Sequence, residues 1–361
     1  NDLGRYAVRC RYIEVFLNTD GGGVSSSDYI GVYVFMEKIK RGDDRVDIAE
    51  LQPSDDSEPQ ISGGYIVKKD KLDGGEPTFN TSRGQTLIYV EPKPEDITEA
   101  QQNWIRNFLI QFEGALYGSN FTDPVNGYAK YIDADSFIDH HIIVELTKNI
   151  DGFRLSTYMF KDRSGRLNMG PVWDYNLSLG NADYLQGWMP TGWYYSQLGD
   201  GDYPWWSRLF EDPMFRLRYA DRWFEWRENI LSTSQLLKDI DDTAALLNEA
   251  ADRNFNRWRI LGSYVWPNWY IAKTYSEEID WMSNWLEQRL YWMDGQIAYE
   301  LAAAPPVFSP QDGQFDNSLE LFMTAQQGAI YYTLDGTDPA ESLPSMGVKG
   351  LLVPENAEKR L

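Results

Sequence analysis

Asp151 and Asp174 stand 23 residues apart in a stretch that also carries Asn149, Asn176 and Asn181. Carboxylates brought close together repel unless they share a proton or a cation. Carboxylate and amide oxygens together form a hard donor set, suited to Mg2+, Mn2+ or Ca2+. Spacing alone leaves a plainer alternative open, in which Asp151-Gly152 is a turn and Asp174 caps a loop. Paired carboxylates beside many tryptophans also raise glycoside hydrolysis. Nothing in the sequence, however, marks a raised-pKa acid facing a nucleophile across a sugar cleft.

For the two aspartates to meet, the surrounding elements must end at one mouth. A helix starting at Asp135 places Phe137, Ile138, Ile142, Ile143 and Leu146 on its inner side and ends at Lys148. Tyr158 to Lys161 and Arg166 to Met169 read as a hairpin turned at Ser164-Gly165, and a further strand ends at Trp173. Upstream, residues 1–97 read as antiparallel sheet: Arg11 to Asn18, Tyr29 to Met36, Gly63 to Lys68 and Thr86 to Val90, with Pro92 and Pro94 ending the sheet. Residues 98–301 read as mostly helical. Thr98 with Gln101 forms a capping box, and a last helix opened by Ser276 buries Ile279, Met282, Leu286, Leu290 and Met293. Residues 302–307 are a linker, and 308–361 carry β signals too short for a complete sandwich. The fold class is therefore α+β.

Composition removes several functions. The formal charge of −22 opposes nonspecific nucleic-acid binding, which needs clustered Lys and Arg. No run of about 18 apolar residues appears that would span a membrane. Cys10 is the single cysteine, so no internal disulfide framework or cysteine-based zinc site forms. The only histidines, His140 and His141, are adjacent and point in different directions from a helix, which removes the usual zinc-hydrolase patterns. Acidity with few cysteines and no signal segment fits a mature or partial form of a bacterial secreted or cell-surface protein. The 14 tryptophans and 23 tyrosines read chiefly as core and interface filling.

The run Glu145 to Arg154, with Ser156 to Tyr158, Lys161-Asp162, Met169 to Asp174 and Leu179 to Asn181, resembles the core of the CotH kinase family. Gly31 to Tyr33, Glu37 to Arg41, Arg45 to Ile48, Gly63 to Tyr65, Asp133 to Phe137 and Trp281 to Trp292 follow the family in order, so the resemblance covers about residues 6 to 300. It implies a divergent protein-kinase-like fold and phosphoryl transfer from ATP to Ser or Thr hydroxyls of a protein, with Mg2+ or Mn2+ and with Ca2+ as a further candidate. In that scheme Asp174 matches the metal-binding aspartate and Asp151 the catalytic-loop aspartate that orients the acceptor hydroxyl. Asn176 and Asn149 join the metal set. Glu37 matches the acidic position that pairs with a phosphate-binding lysine, with Lys68 and Lys38 as phosphate contacts.

The sequence departs from the family pattern twice. Members usually carry an Arg-Gly-x-Ser-Ser type run followed by lysines upstream of the strand that starts here, so an incomplete N-terminal lobe is expected. A second aspartate, two positions after the metal aspartate, is here Asn176, which offers oxygen with less charge. The competing reading is a non-catalytic surface or matrix module that keeps the fold and takes part in an extracellular assembly. The tail from Pro305, notably Tyr331 to Pro339, resembles the opening strands of a chitobiase C-terminal or fibronectin-III-like β-sandwich.

Overall fold

Strand alternation gives the central sheet two apolar faces, and each must be covered. The computed structural model describes residues 3–199 and 201–301 and the segments 306–309, 321–324, 330–332 and 351–353. β1 (Cys10–Phe16) and β2 (Tyr29–Met36) pair antiparallel as a separate ribbon, with Cys10 opposite Met36 and Ile13 opposite Tyr33. β3 (Tyr65–Lys69), β4 (Thr78–Asn80), β5 (Thr86–Glu91), β6 (Thr157–Lys161) and β7 (Leu167–Met169) form one antiparallel sheet in the order β4-β5-β3-β6-β7.

On one face Tyr65, Val67, Met159 and Leu167 join a large core with α1 (Glu99–Leu116) and α2 (Ala134–Thr147). On the other face Ile66 packs with Ile39, Val46 and Ile48, flanked by Tyr158, Phe160 and Trp173. Pro92 and Pro94 therefore do not end the sheet. β6 returns more than sixty residues later to pair with β3, from Tyr65 opposite Lys161 to Lys69 opposite Thr157. Strands from both sides of the 97/98 boundary share this sheet, because long-range pairing leaves no local period. β4 escapes sequence reading for a simpler reason: three residues are too few to alternate.

The helical caps follow local chemistry. Thr98 and Gln101 form the expected capping box of α1. The cap of α2 is Asp133, whose carboxylate accepts the Ser136 N–H, and Asp135 falls inside the helix. α3 (Trp206–Leu209), α4 (Pro213–Glu228), α5 (Thr233–Arg257) and α6 (Tyr275–Glu300) follow, with Thr274 rather than Ser276 opening α6. Residues 258–274 form a non-helical interruption between α5 and α6 within the mostly helical region. α5 holds the β1–β2 ribbon towards its hairpin end: Asn254 accepts the Val32 N–H at 3.0 Å and Trp258 Nε1 donates to Ile30 O at 2.8 Å. No helix among the described residues is long and apolar enough to cross a membrane.

Beyond α6, β8 (Val307–Ser309) pairs with β9 (Phe322–Thr324), and β10 (Ile330–Tyr332) with β11 (Leu351–Val353). Most of the 302–307 linker and the turn from Thr333 to Pro339 lie outside the described residues.

Candidate active site

The end of α2 is built around buried charge. Lys148 takes the left-handed conformation at the helix C-cap (φ 47°), a position that favours glycine. Its side chain is buried, and Nζ donates to Met189 O and Thr191 O, both at 2.9 Å. Burial pushes this amine down to about 8. One turn earlier the buried Glu145 carboxylate accepts Arg289 Nη2 at 2.9 Å, Tyr194 N–H at 2.9 Å and Tyr195 N–H at 2.8 Å. Arg289, from α6, also donates to the carbonyls of Glu145, Pro190 and Gly192. Burial pushes the Glu145 carboxyl up and Arg289 down to about 10, while their mutual attraction opposes both shifts and the backbone donors oppose the first. α2, α6 and the 189–195 loop are thus fastened at one point.

From that anchor the two aspartate-bearing segments run side by side. Leu179 N donates to Thr147 O at 2.7 Å and Ile150 N to Leu177 O at 3.3 Å. Asn149 bridges them with its side chain: Nδ2 donates to Asp174 O at 3.4 Å, and Oδ1 accepts the Asp151 N–H at 3.2 Å. Gly152 is required by close approach, since a Cβ there would lie 2.5 Å from Val144 Cγ1 of α2. Asp151 is steadied by Arg154, whose Nη2 lies 3.2 Å from Oδ1 and 2.9 Å from Ile150 O, while its Nε lies 3.1 Å from Tyr194 Oη. This leaves Oδ2 of Asp151 free of that guanidinium.

Asp174 itself has φ 63°. Of the nine non-glycine residues with positive φ among the described residues, eight fall between Lys148 and Gln186. Strained backbone collects where surrounding bonds over-determine the chain, and functional sites are such places. Burial and the nearby charges of Asp151 and Asp70 raise the Asp174 carboxyl above its usual range, and Lys71 only partly offsets them. An uncompensated carboxylate group of this kind suits a cation.

Asp70 was not singled out from sequence. It follows Lys68 by two residues at the end of β3, a spacing that puts both on one face. Its carboxylate accepts Lys68 Nζ at 3.0 Å and the Ser156 N–H at 3.4 Å. Glu76 stands 4.0 Å from Lys68, and Tyr158, opposite Lys68 across the strands, feels Lys68, Asp70, Glu76 and Asp174 together. Burial disfavours the Lys68 ammonium, but the Asp70 bond and charge prevail and raise it. Arg154 was likewise missed as a site residue; its i+3 spacing from Asp151 was the available signal.

The remaining predicted residues make other contacts. Glu37 accepts from Arg9 Nε at 2.9 Å and Tyr6 Oη at 3.0 Å, with Arg45 at 3.5 Å. It pairs with arginines instead of the expected lysine, and the Arg9 hydrogen bond draws its carboxyl down to about 2. Lys38 is exposed at the ribbon's foot. Asn176 is exposed, and its backbone carbonyl accepts Asn181 Nδ2 at 2.9 Å. Among the described residues no three acidic, histidine or cysteine side chains form a ready-made metal cage. Mg2+ needs no such cage, because it commonly takes one or two carboxylates and completes its shell with phosphate and water. A separate cavity of about 200 Å3, lined by His141, Tyr195, Phe210 and Tyr219 among others, includes neither aspartate.

The family model described as CotH kinase protein matches residues 1–293. No individual curated protein matches the chain.

Proposed function

The chain belongs to the CotH kinase family, and from that premise we propose that it transfers the terminal phosphoryl group of ATP to a serine or threonine hydroxyl of a secreted or cell-surface protein. The observation that carries this reading is the pairing of the 147–151 and 174–179 segments, which sets Asp151 beside Asp174. Phosphoryl transfer asks a protein mainly for positioning and for stabilisation of charge on the phosphate oxygens. Asp151, held by Arg154 and by its own N–H on Asn149, has a free carboxylate oxygen to accept the hydrogen bond of an acceptor hydroxyl. Asp174 would hold Mg2+ or Mn2+, with Asn176 as the neighbouring oxygen donor, and the ion would neutralise phosphate charge. Asn149 lies in the same donor set, but its oxygen already accepts from Asp151, so its stronger role is to fix the two aspartates. Lys68 remains cationic and would reach phosphate from its place between Asp70 and Glu76.

Calorimetry of the full chain with ATP and Mg2+ or Mn2+, followed by phosphate transfer to a protein acceptor, tests this. Saturable nucleotide binding is expected. Transfer is expected to fall by about a thousandfold or more in Asp174→Ala, with an unchanged melting curve because that side chain makes no structural hydrogen bond. Absence of nucleotide binding would sink the proposal and leave a non-catalytic surface module as the reading.

A further inference from the structure

The loop between α5 and α6 is more apolar at its surface than its position in the chain requires. Trp266 is 69% exposed, Tyr264 54% and Trp269 45%, and Val265 and Ile271 are exposed beside them. Exposed apolar groups gathered in one place usually mark an interaction site. These rings are not loose. Trp269 stacks on Trp188 with centroids 4.2 Å apart, and Trp266 lies parallel to Tyr184 at 6.2 Å. Tyr264 Oη donates to Asp183 at 2.6 Å.

The same loop is stitched to the segment that follows Asp174. Trp269 N donates to Asn181 O and Asp183 N to Pro267 O, both at 2.8 Å, and Ala182 bridges Asn268. Asn181 in turn holds the Asn176 carbonyl, so the ridge is continuous with the metal-side loop. At its other end Tyr184 lies within reach of the Asp151 charge, which helps to raise its hydroxyl pKa after burial.

We infer that the ridge of Tyr264, Trp266 and Trp269, continued through Tyr184, is the docking surface for the acceptor protein, and that it takes an extended segment bearing proline or large aliphatic side chains next to the phosphorylated hydroxyl. This rests on the transfer reading proposed above. Tyr184 is near enough to Asp151 to feel its charge, so an acceptor hydroxyl at Asp151 is brought towards the stacked rings that continue from Tyr184. Flat, pre-ordered indole and phenol faces suit extended proline-containing chains. A sugar would also stack there, and Trp266-dependent sugar binding is therefore an outcome of the test.

The test is fluorescence polarisation on the full chain without nucleotide. It uses two labelled peptides, each with one serine: one flanked by proline and leucine, the other by glycine and asparagine. The apolar peptide is expected to bind at least about tenfold more tightly, and Trp266→Ala to remove about that factor, as truncation of an interface tryptophan does. Trp266→Phe should restore most of it. Equal binding of the two peptides, or no loss in Trp266→Ala with an unchanged melting curve, overturns the inference. So does Trp266-dependent binding of a chito-oligosaccharide in place of peptide, or Trp266-dependent self-association in sedimentation. Peptide binding by a protein that transfers no phosphate removes the kinase reading and leaves the docking surface standing.

Discussion

The β1–β2 ribbon and the 145–195 segment both carry charges and aromatics, and they use them in opposite ways. In the ribbon Tyr12, Phe16, Tyr33 and Phe35 are all exposed, and Glu37 at its foot meets arginines near the surface. In the 145–195 segment Glu145, Lys148 and Asn149 are buried with every named polar contact directed at backbone or at one opposing charge. Paired surface charges contribute little to stability, whereas buried ones are costly unless fully partnered. A buried network therefore fixes geometry, and fixed geometry is what positioning Asp151 against Asp174 requires.

The largest expected effect attacks that burial. Glu145→Gln keeps the shape but leaves the Arg289 charge without its partner. Removing one member of a buried pair typically costs about 3–5 kcal/mol, so the urea midpoint should drop strongly. A loss like that of a surface pair would break the contrast between the two regions.

His140 gives the next effect and a pH signature. It is buried on α2 against Trp206 and Phe153, and neither ring nitrogen has a hydrogen-bond partner. Burial pushes it from 6.5 down to about 4. The folded state thus resists a proton that the unfolded chain accepts. Stability is complete above about pH 6.5 and declines as pH falls towards about 4, by up to roughly 3 kcal/mol. His140→Leu should lessen the dependence measured by urea unfolding across that interval, and the buried neighbour His141, also pushed down by burial, supplies the remainder. An unchanged slope would show that the region's acid sensitivity lies elsewhere.

The comparison also explains what sequence reading reaches. Tyr29 to Met36 is a strand with the bounds expected of it, and Thr98 with Gln101 caps α1, because both signals are local and periodic. The Asp151–Asp174 pair was visible as two element ends, but Asn149's bridging role was not, since it depends on two loops meeting across 25 residues. The return of β6 to β3 and the arrival of Asp70 at the site are long-range consequences of sheet order. Glu37 shows the reverse error. Its place in the motif suggested a lysine, but the nearest cations in space are Arg9 and Arg45.

Asn149→Ala sharpens the contrast at intermediate size. It deletes a donor to Asp174 O and an acceptor from Asp151 N, which costs about 1–2 kcal/mol of stability. Phosphate transfer should fall by more than about tenfold, because small misplacements of positioned groups are expensive in rate. Asn149→Asp retains the oxygen for Asp151 but not the amide donor, so it should fall between parent and alanine. Equal stability loss with unaltered transfer would show that the bridge serves folding alone.

Glu37→Gln should have the smallest effect. The amide can still accept from Arg9 and Tyr6, and the surface setting screens the lost charge. The shift in melting temperature should be smaller than for Asn149→Ala and should shrink further in high salt. Because Arg9 holds the parent carboxyl near 2, whatever Glu37 contributes is present above its ordinary carboxylate range and fades as pH falls towards 2; the glutamine variant loses that dependence. Transfer should stay close to the parent's. A collapse of transfer comparable to that of Asp174→Ala would mean that Glu37 reaches the phosphate-binding machinery through its arginines. The ribbon's foot would then belong with the buried segment, and the division between a surface ribbon and a rigid site would have to be redrawn.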